Sequence, residues 1–254
     1  MCLVLFAYDT HQDYSLIIAA NRDEFFARPT LSATFWEEAP NLLAGRDIEK
    51  SGTWMGVTKE GRFAAVTNVR DLREIDQARS RGELVSTYLK EDISPLSYLK
   101  QVEDNGHAYN GFNLLVGLPN SLYYFSNRQG RITEVTPGIH SLSNAALNTP
   151  WPKVEEGKKG LEKSMKIRNK ESLINSLFTV LADDRRAPDE YLPNTGITLE
   201  LERMLSSIMI KSDGYGTRSS TVYLLGKDGN VTYIERTFKN DNNSYKENKF
   251  QFTI

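Results

Sequence analysis

The sequence predicts an α+β domain in which two antiparallel sheets stack together, with layers of helices outside them. Short apolar runs typical of strands occur early, in the middle and late in the chain. Segments with helical periodicity fall between these groups. Turns such as Lys59-Glu60-Gly61 join neighbouring runs directly, as in antiparallel hairpins. Together these patterns favour a four-layer αββα sandwich, and a two-layer domain with one sheet stays open as the alternative.

The predicted strands begin with a hairpin formed by residues 2–8 and 15–20, which a polar turn connects. The tetrad Asn21-Arg22-Asp23-Glu24 is expected to end the second strand. Further strands are predicted at residues 53–58, 62–68, 111–117, 121–126, 131–135 and 139–143. Residues 218–225 and 230–238 form a closing hairpin around Lys227-Asp228-Gly229.

Helices are predicted at residues 82–91, 94–102, 151–167, 171–182 and 199–209. The clearest is 171–182, where one broad face is apolar because Leu173, Ile174, Leu177, Phe178 and Leu181 recur at helical spacing. Residues 1–238 are expected to form a single domain, and residues 239–254 a polar C-terminal tail.

Charge and composition exclude several classes of function. Lys and Arg total 31 against 33 Asp and Glu, so the formal charge is −2 and a nucleic-acid partner is not expected. No segment approaches the roughly 20 apolar residues of a membrane span, and no signal peptide is recognisable. With one cysteine there is no internal disulfide, and His11, His107 and His140 lack metal-ligand spacing. We expect a protein of the cytoplasm, or of an organelle matrix in a eukaryote.

Cys2 is the leading candidate for a nucleophile. Removal of Met1 would give Cys2 a free α-amine with a pKa of about 7.7–8.0, close to a thiol near 8.5, so the amine could take the thiol proton. The plainer interpretation is a small apolar residue that opens a buried strand. A retained methionine would block the amine base.

The tetrad after the second predicted strand could lie near Cys2, because the hairpin returns the chain toward its start. The Arg22 guanidinium would favour a thiolate there, and Asp23 or Glu24 could hold the α-ammonium. A solvated turn with surface ion pairs is the alternative.

A set of motifs resembles the NRDE family, also called the transport-and-Golgi-organisation protein 2 family. The motifs are Met1-Cys2, Ala20 to Phe26, Arg28-Pro29-Thr30, Ala44 to Asp47, Gly52 to Val57, Ala65 to Asn68, Arg81-Gly82, Tyr109 to Leu114, Leu142-Ser143-Asn144, Trp151-Pro152-Lys153 and Tyr215 to Thr221. They run in order across almost the whole chain, so the resemblance concerns the entire sequence.

The NRDE family in turn is similar to N-terminal nucleophile (Ntn) hydrolases of the cysteine type, which have the αββα fold and cleave linear amides. The resemblance implies that Cys2 attacks a carbonyl, that Asn68 and Asn144 donate to the oxyanion, and that Arg218 lies beside the thiol. Small-molecule amide or acyl substrates are then expected, and hydrolysis requires no cofactor. The carboxylate role stays open between Asp23 and Glu24.

The family resemblance also supports a protein without turnover that binds and moves haem or an acyl lipid. Haem ligation could use Cys2, His107 or His140, or the haem could be carried in an open pocket without a fixed axial ligand. A third interpretation is a scaffold that acts through protein partners.

Overall fold

A computed structural model describes residues 2–73, 75, 77–239 and 244–254. The chain divides into two compact units. The first contains the residues up to Ala27 together with residues 137–143 and 147–251, and the second contains residues 28–136, 144–146 and 252–254. Each unit is built around one sheet with helices packed against it.

The strands, in chain order, are β1 (Cys2–Tyr8), β2 (Tyr14–Phe25), β3 (Thr30–Trp36), β4 (Ala39–Asp47), β5 (Met55–Thr58), β6 (Phe63–Asn68), β7 (Phe112–Leu118), β8 (Ser121–Ser126), β9 (Arg131–Glu134), β10 (Gly138–Leu142), β11 (Tyr215–Gly226), β12 (Asn230–Phe238) and β13 (Tyr245–Thr253). The α-helices are α1 (Arg81–Lys90), α2 (Pro95–Asn105), α3 (Pro152–Ser164), α4 (Lys170–Leu181) and α5 (Leu199–Met204). Short 3-10 helices occupy Gly106–Ala108 and Asp189–Tyr191.

The sheet of the first unit has the strand order β10-β1-β2-β11-β12-β13, and β1, β2, β10, β11 and β12 pair antiparallel. Helices α3 and α4 cover one face, where Leu3, Leu5 and Ala7 of β1 enter an apolar core with Val154 and Leu177. The alternate residues of β1 are also buried, so the strand is apolar along nearly its full length. Cys2 lies on the face of β1 opposite that core.

The sheet of the second unit follows the sequence strand by strand, from β3 to β9, and every neighbouring pair is antiparallel. Helices α1 and α2 pack on one face through Val85, Tyr88 and Leu99. Ala64 and Leu114 from the centre of the sheet meet them there. This unit therefore repeats the helix-on-sheet construction of the first.

The predicted fold class is confirmed, because the chain forms two antiparallel sheets with helices; the alternative with a single sheet is wrong. The expectation that the Asn21–Glu24 tetrad ends the second strand is also wrong. β2 continues to Phe25, and Asn21, Arg22 and Asp23 are buried within it. Strands β3 and β4 occupy a segment for which the sequence patterns predicted no element.

The C-terminal segment adds an edge strand to the first sheet. β13 lies within the stretch predicted as a polar tail, and its exposed and partly buried residues alternate in its second half. Residues 240–243 of the same stretch lie outside the described residues. Among the helices of the described chain, none has the length and apolar character needed to cross a membrane.

Candidate active site around Cys2

Cys2 occupies the first position of β1 and lies directly opposite Arg22 of β2 in the antiparallel register. Its side chain is buried, with 8% of the residue exposed. The Ser143 hydroxyl donates a hydrogen bond of 3.4 Å to the Cys2 carbonyl oxygen, which ties the end of β10 to the start of β1. The strand pairing therefore fixes the backbone of the candidate nucleophile.

The surroundings of Cys2 keep its sulfur protonated. Burial raises the pKa of the Cys2 thiol, and the negative charge of Asp23 raises it further. The positive charge of the N-terminus, the Arg22 guanidinium and a hydrogen bond from the Asp23 backbone N–H lower the same pKa, but burial outweighs them. A thiol in this state needs a nearby base before it can act as a nucleophile.

Asp23 is 1% exposed and accepts a 2.7 Å hydrogen bond from the Thr217 hydroxyl at its Oδ1 atom. The same hydroxyl oxygen accepts a hydrogen bond from the backbone N–H of Ile210 at 2.9 Å, so its orientation is fixed. Burial raises the pKa of Asp23 and outweighs the positive charge of the N-terminus, Lys153, the Thr217 hydrogen bond and Arg22, which lower it. Asp23 is thus the buried carboxylate whose charge acts on Cys2.

Glu24 occupies a more open position than Asp23. Its side chain is 24% exposed and approaches the Arg22 guanidinium at 4.0 Å. One carboxylate oxygen accepts a hydrogen bond from the backbone N–H of Phe25 at 2.9 Å. The structure therefore favours Asp23 over Glu24 for the carboxylate role, although that role itself stays a prediction.

Arg218 joins the same cluster from β11. One terminal nitrogen, Nη1, donates to the carbonyl oxygens of Phe25 at 2.8 Å and Phe26 at 3.1 Å. Partial burial and the neighbouring Arg22 charge lower the pKa of Arg218, whereas Glu24 raises it. Arg22, Glu24 and Arg218 thus form one charged group at the end of β2. The position of Arg218 beside the thiol stays a prediction.

The first residue of the tetrad, Asn21, has a structural role. Its Nδ2 atom donates to the carbonyl oxygens of Leu181 and Ile208, both at 2.9 Å. Its Oδ1 atom accepts from the Ser220 hydroxyl at 2.6 Å. Since Asn21 is 0% exposed, this amide ties β2 to the end of α4 and to the segment that follows α5.

The two predicted oxyanion donors belong to the second unit, where they lie together. The Asn144 Nδ2 atom donates to the backbone oxygen of Asn68 at 3.0 Å. The Asn144 carbonyl oxygen accepts from the backbone N–H of Arg70 at 2.7 Å. Asn144 is buried and Asn68 ends β6. Their role as oxyanion donors stays a prediction.

The histidines considered for haem differ in their surroundings. His140 stacks on Phe6 with ring centroids 5.2 Å apart, and its Nδ1 atom lies 3.0 Å from the Asn148 amide nitrogen. A Cβ atom added at Gly138 would lie 3.2 Å from His140 Nε2, so both ring nitrogens are closely packed. His107 is exposed in a 3-10 helix. The packing of His140 fits a structural residue better than an axial ligand.

Sequence reasoning assigned no role to Lys153 or Thr217, although both belong to motifs that carried the family resemblance. Lys153 is 3% exposed in the first turn of α3. Its signal in the sequence was weak but present, because a cation near a helix N-terminus opposes the helix dipole. Thr217 gave no signal, since its partner Asp23 is 194 positions away.

A cleft of about 560 Å³ opens in the first unit beside the start of α3. Apolar side chains contribute to its wall, among them Pro152, Pro188 and Ile208, and Lys153 and Arg186 contribute cationic groups. Glu155, Glu156, Lys159, Asp183 and Arg185 also line it, so half of its lining residues are charged and the cleft is more polar than a typical small-molecule pocket.

The two antiparallel sheets with helices define a protein with the Ntn-hydrolase fold. An arginine-to-leucine variant of the conjugated bile acid hydrolase from Clostridium perfringens shares this fold with a TM-score of 0.52. The match covers 100% of this chain and 97% of the hydrolase at 10% sequence identity. At that identity the likeness concerns the fold alone.

The chain belongs to the family described as Transport and Golgi organisation 2, whose profile matches residues 1–240. A relative from Homo sapiens, the Transport and Golgi organization protein 2 homolog, is 38% identical over 276 residues, covering 100% of this chain and 99% of the relative. The Drosophila melanogaster protein is 28% identical over 264 residues, covering 93% and 92%. The family predicted from the motifs is therefore confirmed.

Proposed function

We propose that this protein is a cysteine hydrolase of the Ntn type that acts on a linear amide or acyl substrate. The observation that carries the proposal is the arrangement at the start of β1. Cys2 lies opposite Arg22 in the strand pairing. The buried Asp23 carboxyl group accepts a hydrogen bond from Thr217, and its negative charge raises the pKa of the Cys2 thiol. A nucleophile, a cation and an oriented acid in one buried cluster are the components of nucleophilic catalysis.

The proposed reaction begins once Met1 has been removed. The α-amine of Cys2 takes the thiol proton, and the sulfur attacks the substrate carbonyl to form a tetrahedral oxyanion. As the amide C–N bond breaks, the α-ammonium returns the proton to the leaving amine and a thioester remains. Water then hydrolyses the thioester and releases the acid and the free thiol. The raised pKa of Cys2 makes this internal base necessary.

The proposal is tested by the intact mass of protein produced without an N-terminal tag and treated with an alkyl β-lactone. Thiol attack opens the lactone and leaves its whole mass on the protein as a thioester. We expect a mass without Met1 and one adduct, which peptide mapping should place on Cys2, the one cysteine of the chain.

Two controls accompany that experiment. Cys2→Ser should abolish the rapid adduct, and a short cleavable extension before Cys2 should suppress it until a protease exposes the α-amine. Equal labelling of the blocked and exposed forms would contradict the amine-base mechanism. Protein that retains Met1 and forms no adduct would contradict the hydrolase proposal.

A second candidate function is binding and trafficking of haem or an acyl lipid without turnover. Two observations favour it: burial raises the pKa of the Cys2 thiol, and a cleft of about 560 Å³ with some apolar side chains in its wall lies in the same unit. Titration with haem distinguishes the two proposals. A saturable shift of the Soret band that persists in Cys2→Ser supports carriage, whereas an unchanged spectrum at micromolar protein contradicts haem binding.

A further inference from the structure

We propose that the edge of β2 beyond Arg22 binds an extended peptide as an added β-strand and so presents a peptide carbonyl to Cys2. The inference deepens the proposed function by naming a peptide-like amide as the substrate class, and it rests on that function for the chemistry at Cys2. Strand addition of this kind uses main-chain hydrogen bonds for affinity and side-chain contacts for specificity.

The edge results from the unequal lengths of β1 and β2. In the described part of the chain, the pairing of β2 with β1 ends where Cys2 lies opposite Arg22. The pairing of β2 with β11 continues as far as Phe25, which lies opposite Tyr215. In the proposed active form Cys2 is the first residue, so no residue of the chain precedes it to continue β1. The position in line with β1 is therefore left for a substrate.

The backbone N–H of Phe25 points to this edge. Successive N–H groups of a strand point to opposite sides, and the Phe26 N–H donates to the Gly214 carbonyl oxygen, on the β11 side, at 2.9 Å. On the other side the Glu24 side chain accepts from the Phe25 N–H at 2.9 Å. The Phe25 carbonyl oxygen accepts from Arg218 Nη1 at 2.8 Å. Two exposed side chains thus make the hydrogen bonds that an added strand would make.

The nucleophile lies at the inner end of the edge. The Asp23 N–H points to the same side as that of Phe25 and donates to the Cys2 sulfur. A peptide that continues the line and direction of β1 has its C-terminal end next to Cys2. The carbonyl at that end is then the one that the sulfur attacks, and the leaving amine lies beyond it.

An exposed aromatic pair gives the edge a side-chain preference. Phe25 is 61% exposed, and its ring meets that of Tyr215 edge-on with centroids 5.1 Å apart. The antiparallel register places the third residue of the peptide, counted outward from Cys2, directly opposite Phe25. Directly opposed residues of paired strands lie on the same face. An apolar side chain at the third residue would therefore cover the Phe25 ring.

The test uses peptide chloromethyl ketones on the full chain with the Cys2 α-amine exposed, followed by intact mass. The sulfur displaces chloride and forms a thioether. The parent probe is acetyl-Leu-Ala-Ala chloromethyl ketone, in which leucine is the third residue. One derivative carries an N-methyl group on leucine and the other carries it on the middle alanine. The protein is the same in every measurement, so misfolding of a variant cannot affect the comparison.

We expect N-methylation of the leucine to slow labelling about fivefold, because its N–H would donate to the Phe25 carbonyl oxygen. N-methylation of the middle alanine should leave the rate unchanged, since that N–H points away from β2. Equal rates for the two derivatives would overturn the proposal. Failure of the parent probe to label protein that the β-lactone labels would overturn it as well, while leaving the hydrolase proposal standing.

The side-chain preference is tested by replacing the leucine of the probe with alanine. Labelling of the wild-type protein should slow about threefold, as expected for loss of one cross-strand contact. Phe25→Ala should react equally with both probes, whereas Tyr191→Ala, which removes another exposed ring in the same unit, should keep the preference for leucine. A preference that survives in Phe25→Ala would contradict the assigned register. If neither the β-lactone nor the parent probe reacts with Cys2, the hydrolase proposal itself fails.

Discussion

Within the tetrad from Asn21 to Glu24, neighbouring residues perform different tasks. Alternation along β2 directs Arg22 to the face that carries Cys2, while Asn21 and Asp23 meet partners from α3, α4 and β11. A run of four polar residues therefore divides into a structural amide, a cation beside the thiol, a buried carboxyl group and a partly exposed acid.

The Asn21 side-chain amide, which hydrogen-bonds through both its nitrogen and its oxygen, leads to a stability prediction. Asn21→Ala would leave two buried carbonyl oxygens and the Ser220 hydroxyl without their partner, so we expect a loss of about 2–4 kcal/mol in the free energy of unfolding. Ser220→Ala, which removes one of these bonds, should cost about 1 kcal/mol. Urea denaturation followed by circular dichroism measures both.

The matched control for Asn21 is Asn105→Ala on the exposed end of α2, where the amide donates to the Gln101 carbonyl oxygen. That change should stay within about 0.5 kcal/mol of wild type. If Asn21→Ala were equally mild, the amide would not be holding β2 to α4.

At the scale of elements, helix α3 places Lys153 against the sheet. The close approach of α3 to β1 depends on Gly157. A Cβ atom at Gly157 would lie 2.6 Å from Leu5 Cδ2. Leu5 is 0% exposed in the core beneath the helix and has little room to move. The absence of a side chain at this position thus sets how close α3 lies to β1.

We predict that Gly157→Ala lowers the free energy of unfolding by about 1–3 kcal/mol through overpacking. Helix propensity would act in the opposite direction, by up to about 1 kcal/mol. Combining it with Leu5→Val should recover part of the loss, and Glu162→Ala on the exposed side of α3 serves as the control. An increase in stability for Gly157→Ala in thermal or urea unfolding would show that α3 has room to spare.

Elements with a regular pattern were predictable from the sequence, and those whose stability depends on distant partners were not. β1 is a continuous apolar run, β7 is apolar apart from Asn113, and α4 has a full apolar face, so each appeared in the predictions. In β3 and β4 exposed and buried residues follow no regular order, so the alternation of apolar and polar residues that marks a half-buried strand is not visible in the sequence. The second half of β2 is polar yet buried, because its partners lie far away in the sequence.

The candidate site was predictable to a similar degree. Cys2, Arg22, Asp23, Glu24 and Arg218 were found through motifs, and the structure brings them together in one unit. Lys153 and Thr217 were not assigned, because a buried polar residue whose neighbours lie far away in the sequence has no local signature. The order of the tetrad could not reveal that Asn21 is structural, since that depends on carbonyl oxygens at residues 181 and 208.

At the scale of the whole molecule, the two sheets differ in how far apart their partners lie along the chain. In the second unit each strand pairs with its successor, from β3 to β9. In the first unit β2 pairs with β11, and the Asn21–Ser220 contact spans 199 positions. Closing so long a loop costs more conformational entropy than forming successive hairpins. Local pairing also forms faster than distant pairing.

This difference predicts the order of folding. Amides in residues 30–134 should gain protection before those of β1, β2 and β11 in pulse-labelling hydrogen exchange with mass spectrometry. Refolding should start from briefly unfolded protein, so that the nine prolines keep their native isomers and add no slow phase. Hydrogen exchange of the native protein first identifies the amides in each sheet that exchange slowly enough for their protection to be followed. Earlier protection of β2 and β11 would mean that the buried polar cluster around Asp23, and not local strand pairing, nucleates the fold.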